Sequence, residues 1–245
     1  MRTIRVHVDQ PLAVDAVVAL PAAAAAHVTR VLRLREGDPL VLFNGDGNDY
    51  ECELENDGPR GVGARVLRAR AAGNESPLRV TLAQALARGE KMDLIVQKAT
   101  ELGVAAIVPL LTERCEVRLD AARAAKRIEH WNAVAAGACE QCGRARLPAV
   151  DPPRPLDDWL ATLATAANAT RLTLSPDAVL APRALARDLR EVVLVVGPEG
   201  GLGPRDLAGL PAAGFQGLRL GPRVLRTETA GIAAIAALQA IAGDW

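Results

Sequence analysis

One segment narrows the choice of folds more than any other: Val192 to Gly231, VVLVVGPEGGLGPRDLAGLPAAGFQGLRLGPRVLRTETAG, sets two short apolar runs in front of Gly-Pro breaks. Val192 to Val196 is continuously apolar and mostly β-branched, the pattern of a strand buried on both faces of a parallel sheet. Gly197-Pro198-Glu199-Gly200-Gly201 stops it, and glycines around one acid permit positive φ and close backbone approach to a ligand. Pro204, in a first helical turn, opens a helix through Leu207 and Leu210. The device then repeats: Gly217 to Leu220 is a short strand, Gly221-Pro222 breaks it, and Thr227 is placed to cap a helix running to Ile241. Two breaks after neighbouring strands make a crevice at the carboxyl edge of a sheet, where open α/β sheets bind ligands.

The chain upstream supplies the rest of such a sheet. From Leu78 the pattern alternates: strand Leu78 to Ala83, helix Met92 to Leu102, strand Ala106 to Pro109, helix Ala121 to Cys142, helix Leu156 to Ala164, strand Arg171 to Leu174. That predicts a mostly parallel sheet with helices on its faces. Residues 1 to about 70 differ, with strand-like runs at Ile4 to Val8, Pro39 to Phe43, Tyr50 to Leu54 and Ala64 to Leu67. Turns at Asn44 to Asn48 and Asp57-Gly58-Pro59 divide them, as in a small β-barrel. Ala71 to Pro77 has the composition of a linker, so the expected domains are 1–72 and 73–245.

Composition removes several alternatives. No apolar run reaches the roughly 18 to 20 residues of a membrane helix, and the N-terminus MRTIRVHVDQ has no apolar signal core, so a cytoplasmic location is expected. Twenty-nine basic residues balance twenty-nine acidic ones, which gives no general support to nucleic-acid binding. Charge is nonetheless clustered, at Arg219, Arg223 and Arg226 and again at Arg30, Arg33 and Arg35. Cys139 and Cys142 have C-x-x-C spacing but no second pair follows, so no metal is expected, and free thiols suit a reducing compartment. GPEGG lacks both the G-x-G-x-x-G fingerprint and the lysine of a P-loop, which argues against a nucleotide-dependent oxidoreductase.

The pairing of VVGPEGGLGPRDL with LRLGPRVLRTETA resembles the SPOUT superfamily of S-adenosylmethionine-dependent RNA methyltransferases, and in particular its RsmE group. The likeness extends along the chain. His27 to Arg33 followed by Gly37-Asp38 is similar to that group's N-terminal signature, and Lys91 to Val104 to its central one. Glu113-Arg114-Cys115, and Glu140 to Arg144 leading to Leu147-Pro148, match as well, with Cys115 and Cys142 where the family usually has serine. The resemblance implies an N-terminal PUA-like, RNA-binding barrel and a mostly parallel α/β sheet closed by a trefoil knot, threaded between Leu172 and Thr229. It further implies methylation of N3 of a uridine in 16S ribosomal RNA, on the small ribosomal subunit, by a homodimer that needs no metal. The nearly all-apolar final helix, with Ala230, Gly231, Ala234 and Ala237, would then lie at the dimer interface. A noncatalytic RNA-binding factor in ribosome assembly is the alternative.

The chemistry of that reaction assigns roles. Backbone groups near Leu174-Ser175, Gly197-Pro198-Glu199-Gly200-Gly201, Leu220-Gly221 and Val224-Leu225 are expected to hold S-adenosylmethionine, with Thr227 contacting cofactor or substrate. Removing the imide proton of uridine leaves an anion, and Arg226 presents a permanently charged planar fork to it, unless it pairs instead with Glu228 or Glu199. Glu199 either orients the cofactor's ammonium group, helps take the proton, or caps the next helix. His27, Arg30, Arg33, Arg114 and Arg144 are candidates for RNA contact, though a lone His beside Val28 is more often structural and Arg114 and Arg144 can be parts of an ion-pair network. Lys91, Gln97, Lys98 and Glu101 read as a solvated helix face.

Overall fold

The computed structural model describes residues 4–56, 61–117, 119–163 and 169–245. The expected Asp57-Gly58-Pro59 turn and the end of the helix reaching Ala164 lie outside the described residues. By contact the chain divides into two compact units, Met1–Glu75 with Ala136–Leu147, and Ser76–Ala135 with Pro148–Trp245. The segment 136–147 thus packs with the first unit, whereas a linear division near residue 73 assigns it to the second.

In the first unit, β1 (Arg5–His7), β2 (Val17–Ala19), β3 (Pro39–Phe43), β4 (Asn48–Asn56) and β5 (Val62–Ala71) form one sheet in the order β1-β3-β4-β5-β2. Between β2 and β3 lie the short helix α1 (Ala22–Ala26) and a π-helical turn, His27–Val31. β1 runs parallel to β3 and the other pairs are antiparallel. The sheet is a curled half-barrel with β1 and β2 as its edges, and a register shift between Glu51 and Cys52 marks a bulge of the kind that bends a strand. The concave side buries Val6, Val18, Leu40, Leu42, Leu54 and Val66, together with Val28 from the π-helical turn. The returning segment adds Cys139 and Ala145 against Phe43.

The second unit contains β6 (Arg79–Ala85), α2 (Lys91–Glu101), β7 (Ala106–Leu111), α3 (Ala121–Cys142, up to residue 135), β8 (Ala149–Val150), β9 (Arg154–Pro155), α4 (Leu156–Thr162), β10 (Thr170–Leu174), β11 (Glu191–Val196), α5 (Pro204–Ala212), β12 (Gln216–Leu218) and α6 (Thr227–Ala242). The sheet order is β12-β10-β11-β6-β7-β8 with β9 beside β7, and its described pairs are parallel. Successive residues of the central strands point to opposite faces, as the period of two requires. Leu82, Leu194 and Val196 meet Ile95 of α2 and Ala234 and Leu238 of α6, while Ala83, Val193 and Val195 meet Trp159 of α4, Leu210 of α5 and Phe215. Burial on both faces accounts for the unbroken apolar run of β11.

β10 has β11 on one side and β12 on the other, so the chain order reverses across it. A reversal of this kind leaves a crevice at the carboxyl ends of the strands. Here Leu174, Val196 and Leu218 end the strands at that edge, and the main chain joins them: Ser175 N donates to Leu218 O at 3.0 Å and Arg219 N to Leu180 O at 2.8 Å.

Candidate active site

The crevice is a cavity of about 670 Å³, and the residues expected to bind the cofactor all line it: Leu174, Ser175, Gly197, Pro198, Glu199, Gly200, Gly201, Leu220, Gly221, Val224, Leu225 and Thr227. Arg226 lines it too, together with Lys91, Arg219 and Arg223. A volume of this size suits a nucleoside-sized ligand. Much of the lining is main chain from the two Gly-Pro turns, in which Gly201 adopts φ of 70° and Gly201 N closes on Pro198 O at 2.9 Å. That conformation is open to glycine and strained for other residues.

Glu199 is held on the cavity wall. Its Oε1 accepts from Lys91 Nζ at 2.8 Å and from Arg88 N at 3.1 Å. Burial acts to raise this carboxyl, but the bonds from Lys91 and Arg88 N and the lysine's charge hold it below the ordinary carboxylate value. Glu199 is therefore ionised and paired with Lys91, a weaker proton acceptor than a carboxylate whose pKa is raised. The amide groups at the start of the next helix are taken by other acids. At the start of α5, Asp206 Oδ2 accepts from Gly203 N at 2.9 Å and Glu113 Oε2 accepts from Arg205 N at 2.9 Å. Asp206 in turn accepts from Glu113 N at 3.1 and 3.2 Å, so the two acids together clasp the loop after β7 to the GPEGGLGP turn. Gly203 is needed there, because a Cβ would collide with the Glu113 carboxylate.

Thr227 is the first residue of α6, not its cap. Arg226 occupies the cap position and makes no side-chain capping bond. The Thr227 hydroxyl donates to Gly197 O at 2.6 Å and accepts from Gln84 Nε2 at 2.9 Å, a tertiary pairing that displaces the local one. Arg226 is exposed on the cavity rim, and among the described residues it forms no ion pair with Glu199 or Glu228. Lys91 engages both acids instead, Glu228 Oε2 lying 3.6 Å from its Nζ.

The residues expected to contact RNA separate into three kinds. His27, Arg30 and Arg33 are exposed on or just after the π-helical turn of the first unit, with Arg33 at a left-handed φ of 57°. Arg114 is exposed and does not line the cavity, but its Nη1 donates to the carbonyl of the lining residue Gly200 at 3.1 Å. Arg144 is buried in the first unit, forked onto Glu75 by Nε and Nη2 at 3.1 and 2.7 Å, with its own carbonyl accepting from Arg5. A guanidinium so enclosed is structural, which corrects its assignment to RNA.

Comparison with known proteins decides the family. A model described as an RNA methyltransferase domain matches residues 74–239, and one described as an RNA methyltransferase PUA domain matches residues 20–67. Ribosomal RNA small subunit methyltransferase E of Buchnera aphidicola is 32% identical over 240 residues, which is 98% of this chain and 97% of that protein. The chain belongs to the ribosomal RNA small subunit methyltransferase E family. A member of the family from Neisseria gonorrhoeae, solved bound to S-adenosyl methionine, superposes with a TM-score of 0.91 at 36% identity over 100% of both chains. A Legionella pneumophila protein assigned as a methyltransferase, solved in complex with the bound cofactor SAM, gives 0.93 at 39% identity, again over 100% of both.

Three positions that matter to the site of this family member carry little signal in the sequence. Gln84 lies just past the expected strand end at Ala83 and is fully buried, its signal being a lone amide in an otherwise apolar run. Lys91 has the sequence setting of a solvated helix face, yet it lines the cavity. Asp206 looks like any first-turn acid, yet it is buried. Among the described residues, no group of three or more His, Cys, Asp or Glu side chains is placed to hold a metal ion, and burial pushes the Cys139 thiol up to about 12.

Proposed function

We propose that the chain transfers the methyl group of S-adenosylmethionine to N3 of a uridine in 16S ribosomal RNA. The observation that carries this reading is the cavity at the ends of β10, β11 and β12, built from both Gly-Pro turns and rimmed by an Arg226 that neither nearby acid engages. S-adenosylmethionine, when bound there, supplies an electrophilic methyl group. The residues fit it: a main-chain cradle at Gly197 to Gly201 and at Leu220-Gly221 can hydrogen-bond an adenosine without a dedicated charged side chain, and the carboxylate of Glu199 faces the same space.

The chain's own contribution is placement and charge. Arg226 reaches from the N-cap position of α6, where the helix dipole also favours negative charge. Its fork would hold a ring oxygen of uridine as the N3 proton leaves, stabilising the imide anion where it forms. Glu199, ionised and tied to Lys91, orients and does not accept the proton. Arg30 and Arg33, with His27, offer exposed groups on the first unit for phosphate contacts, and Arg114 does so on the second.

The same reading includes a trefoil passage of the chain between Leu172 and Thr229, a cytoplasmic enzyme acting on the assembled small subunit, and a homodimer. Among the described residues no helix is long and apolar enough to cross a membrane. The dimer is supported by α6, whose Ile232, Ala233, Ala236, Ala237 and Ile241 stay partly exposed while Gly231, Ala234, Ile235 and Leu238 are buried in the core. Titration calorimetry with S-adenosylmethionine, NADH and ATP tests the cofactor: heat with the first alone supports the site. Light scattering at micromolar concentration tests the dimer, and a monomer mass removes it.

A further inference from the structure

Gln84 does not line the cavity, and it is fully buried at the end of the central strand β6. A side-chain amide in such a place costs free energy unless its polar atoms are partnered. Gln84 Nε2 donates to Ala85 O at 3.0 Å and to Thr227 Oγ1 at 2.9 Å. A main-chain carbonyl only accepts, so the NH2 end of the amide must be the one facing Ala85, and the orientation of the side chain is thereby set. With its oxygen receiving a proton from Gln84, the Thr227 hydroxyl directs its own proton to Gly197 O, 2.6 Å away. The three groups form a one-way chain of donors from β6 through the start of α6 to the first residue of the GPEGG turn.

The far end of that chain is the informative one. The peptide between Gly197 and Pro198 has no N–H, so its carbonyl is the only main-chain group by which it can be hydrogen-bonded. Gln84 Oε1, by contrast, is buried and has no hydrogen-bond partner among the described residues. It faces Gly231, where a Cβ would come within 3.4 Å of it. An apolar side chain of similar length would spare that oxygen, so stability alone does not favour an amide here. Local costs of this sort are retained where they serve a site.

We infer that Gln84 is a positioning residue of the cofactor cavity: acting through the Thr227 hydroxyl, it fixes the Gly197 carbonyl and with it the turn that holds S-adenosylmethionine. Thr227 is then a relay that orients the wall, with its hydroxyl committed to the protein. This rests on the reading of the cavity as the S-adenosylmethionine site.

The test separates binding from stability. Calorimetry with S-adenosylmethionine is run on the full-length wild type, Gln84→Met, Thr227→Val, the double variant and Gln84→Glu, alongside thermal melting of each. Gln84→Met is expected to melt within a few degrees of wild type and to bind about tenfold more weakly. Thr227→Val should weaken binding similarly, and the double variant should be no weaker than either single one, because both cut the same chain. Gln84→Glu has no donor toward Thr227 while ionised, but burial raises its pKa and the protonated acid regains an O–H. Its affinity should therefore improve as pH falls, and that of the wild type should not. Wild-type affinity in a folded Gln84→Met, additive losses in the double variant, or a flat pH response in Gln84→Glu would each overturn the inference. A wild type that fails to bind S-adenosylmethionine overturns the reading of the cavity, and the inference with it.

Discussion

The Glu199 carboxylate and the Lys91 ammonium meet at 2.8 Å on the cavity wall, and each moves the other's ionisation. Burial alone raises Glu199, but the lysine's hydrogen bond and charge leave it below its usual 4.5, and Lys91 is raised above 10.5 by its hydrogen bond to the same carboxylate. A depressed acid contributes stability above its unfolded pKa and loses it as pH falls through the folded value. A raised lysine contributes below its unfolded pKa and loses it as pH rises through the folded one. The pair therefore persists between 4.5 and 10.5. The pH profile of kcat/KM should show no break assignable to Glu199 between about pH 5 and 9. Glu199→Gln should keep the wild-type profile shape, and a near-neutral break that disappears in that variant would contradict the orienting role.

Lys91 engages both acids near Arg226, which on the proposed function leaves that guanidinium to the substrate. Arg226→Ala should lower kcat on the order of 10²-fold or more with little change in S-adenosylmethionine affinity, the mark of an interaction made in the transition state. Arg226→Lys should recover little, since a point charge lacks the planar fork. Steady-state kinetics with calorimetry on the same variants separates the two effects.

Asp206 is 3% exposed and accepts from Gly203 N and Glu113 N. Asp206→Ala leaves both donors without a partner and removes the clasp on the GPEGGLGP turn. A loss of about 2 to 3 kcal/mol follows from the cost of buried unsatisfied donors. Urea denaturation should show a lower midpoint with an unchanged slope.

Arg144 and the pair Arg30 and Arg33 should fail in opposite ways. Arg144→Ala leaves Glu75 without its fork, and because Glu75 is partly exposed the expected loss is about 2 kcal/mol, below that of a fully buried pair. Arg30→Ala and Arg33→Ala should leave the melting temperature in place. RNA affinity should fall, and the slope of log affinity against log salt should shrink by about 0.7 to 0.9 for each phosphate that the variant no longer neutralises. Fluorescence anisotropy across a salt series, paired with melting curves, reads both.

The sheet is legible in the sequence because β11 and the helices around it follow local patterns. Val192 to Val196 announces a doubly covered strand, and Pro204 a helix start, without reference to the rest of the chain. β2 gives no such signal, because three residues are too short to display a period. The site itself is half legible. Its wall is made by the two Gly-Pro turns, which are local features, but its side-chain wiring joins residues remote in sequence. Gln84 and Thr227 are 143 positions apart, and Glu113 and Asp206 are 93. Thr227 shows the consequence: the local capping rule places it at the helix start, and a tertiary partner decides what its hydroxyl does. Arg144 follows the same course, since nothing beside it in sequence signals Glu75, 69 positions away.

The central claim is methyl transfer to N3 of a uridine, and mass spectrometry of the modified nucleoside tests it most directly. Small ribosomal subunits from a strain lacking the enzyme are incubated with the protein and S-adenosylmethionine labelled on its methyl group, and the RNA is digested to nucleosides. The label is expected on 3-methyluridine at a single site, with transfer by Arg226→Ala reduced on the order of 10²-fold. Label on another base or on ribose, or no transfer by the wild-type protein, would contradict it.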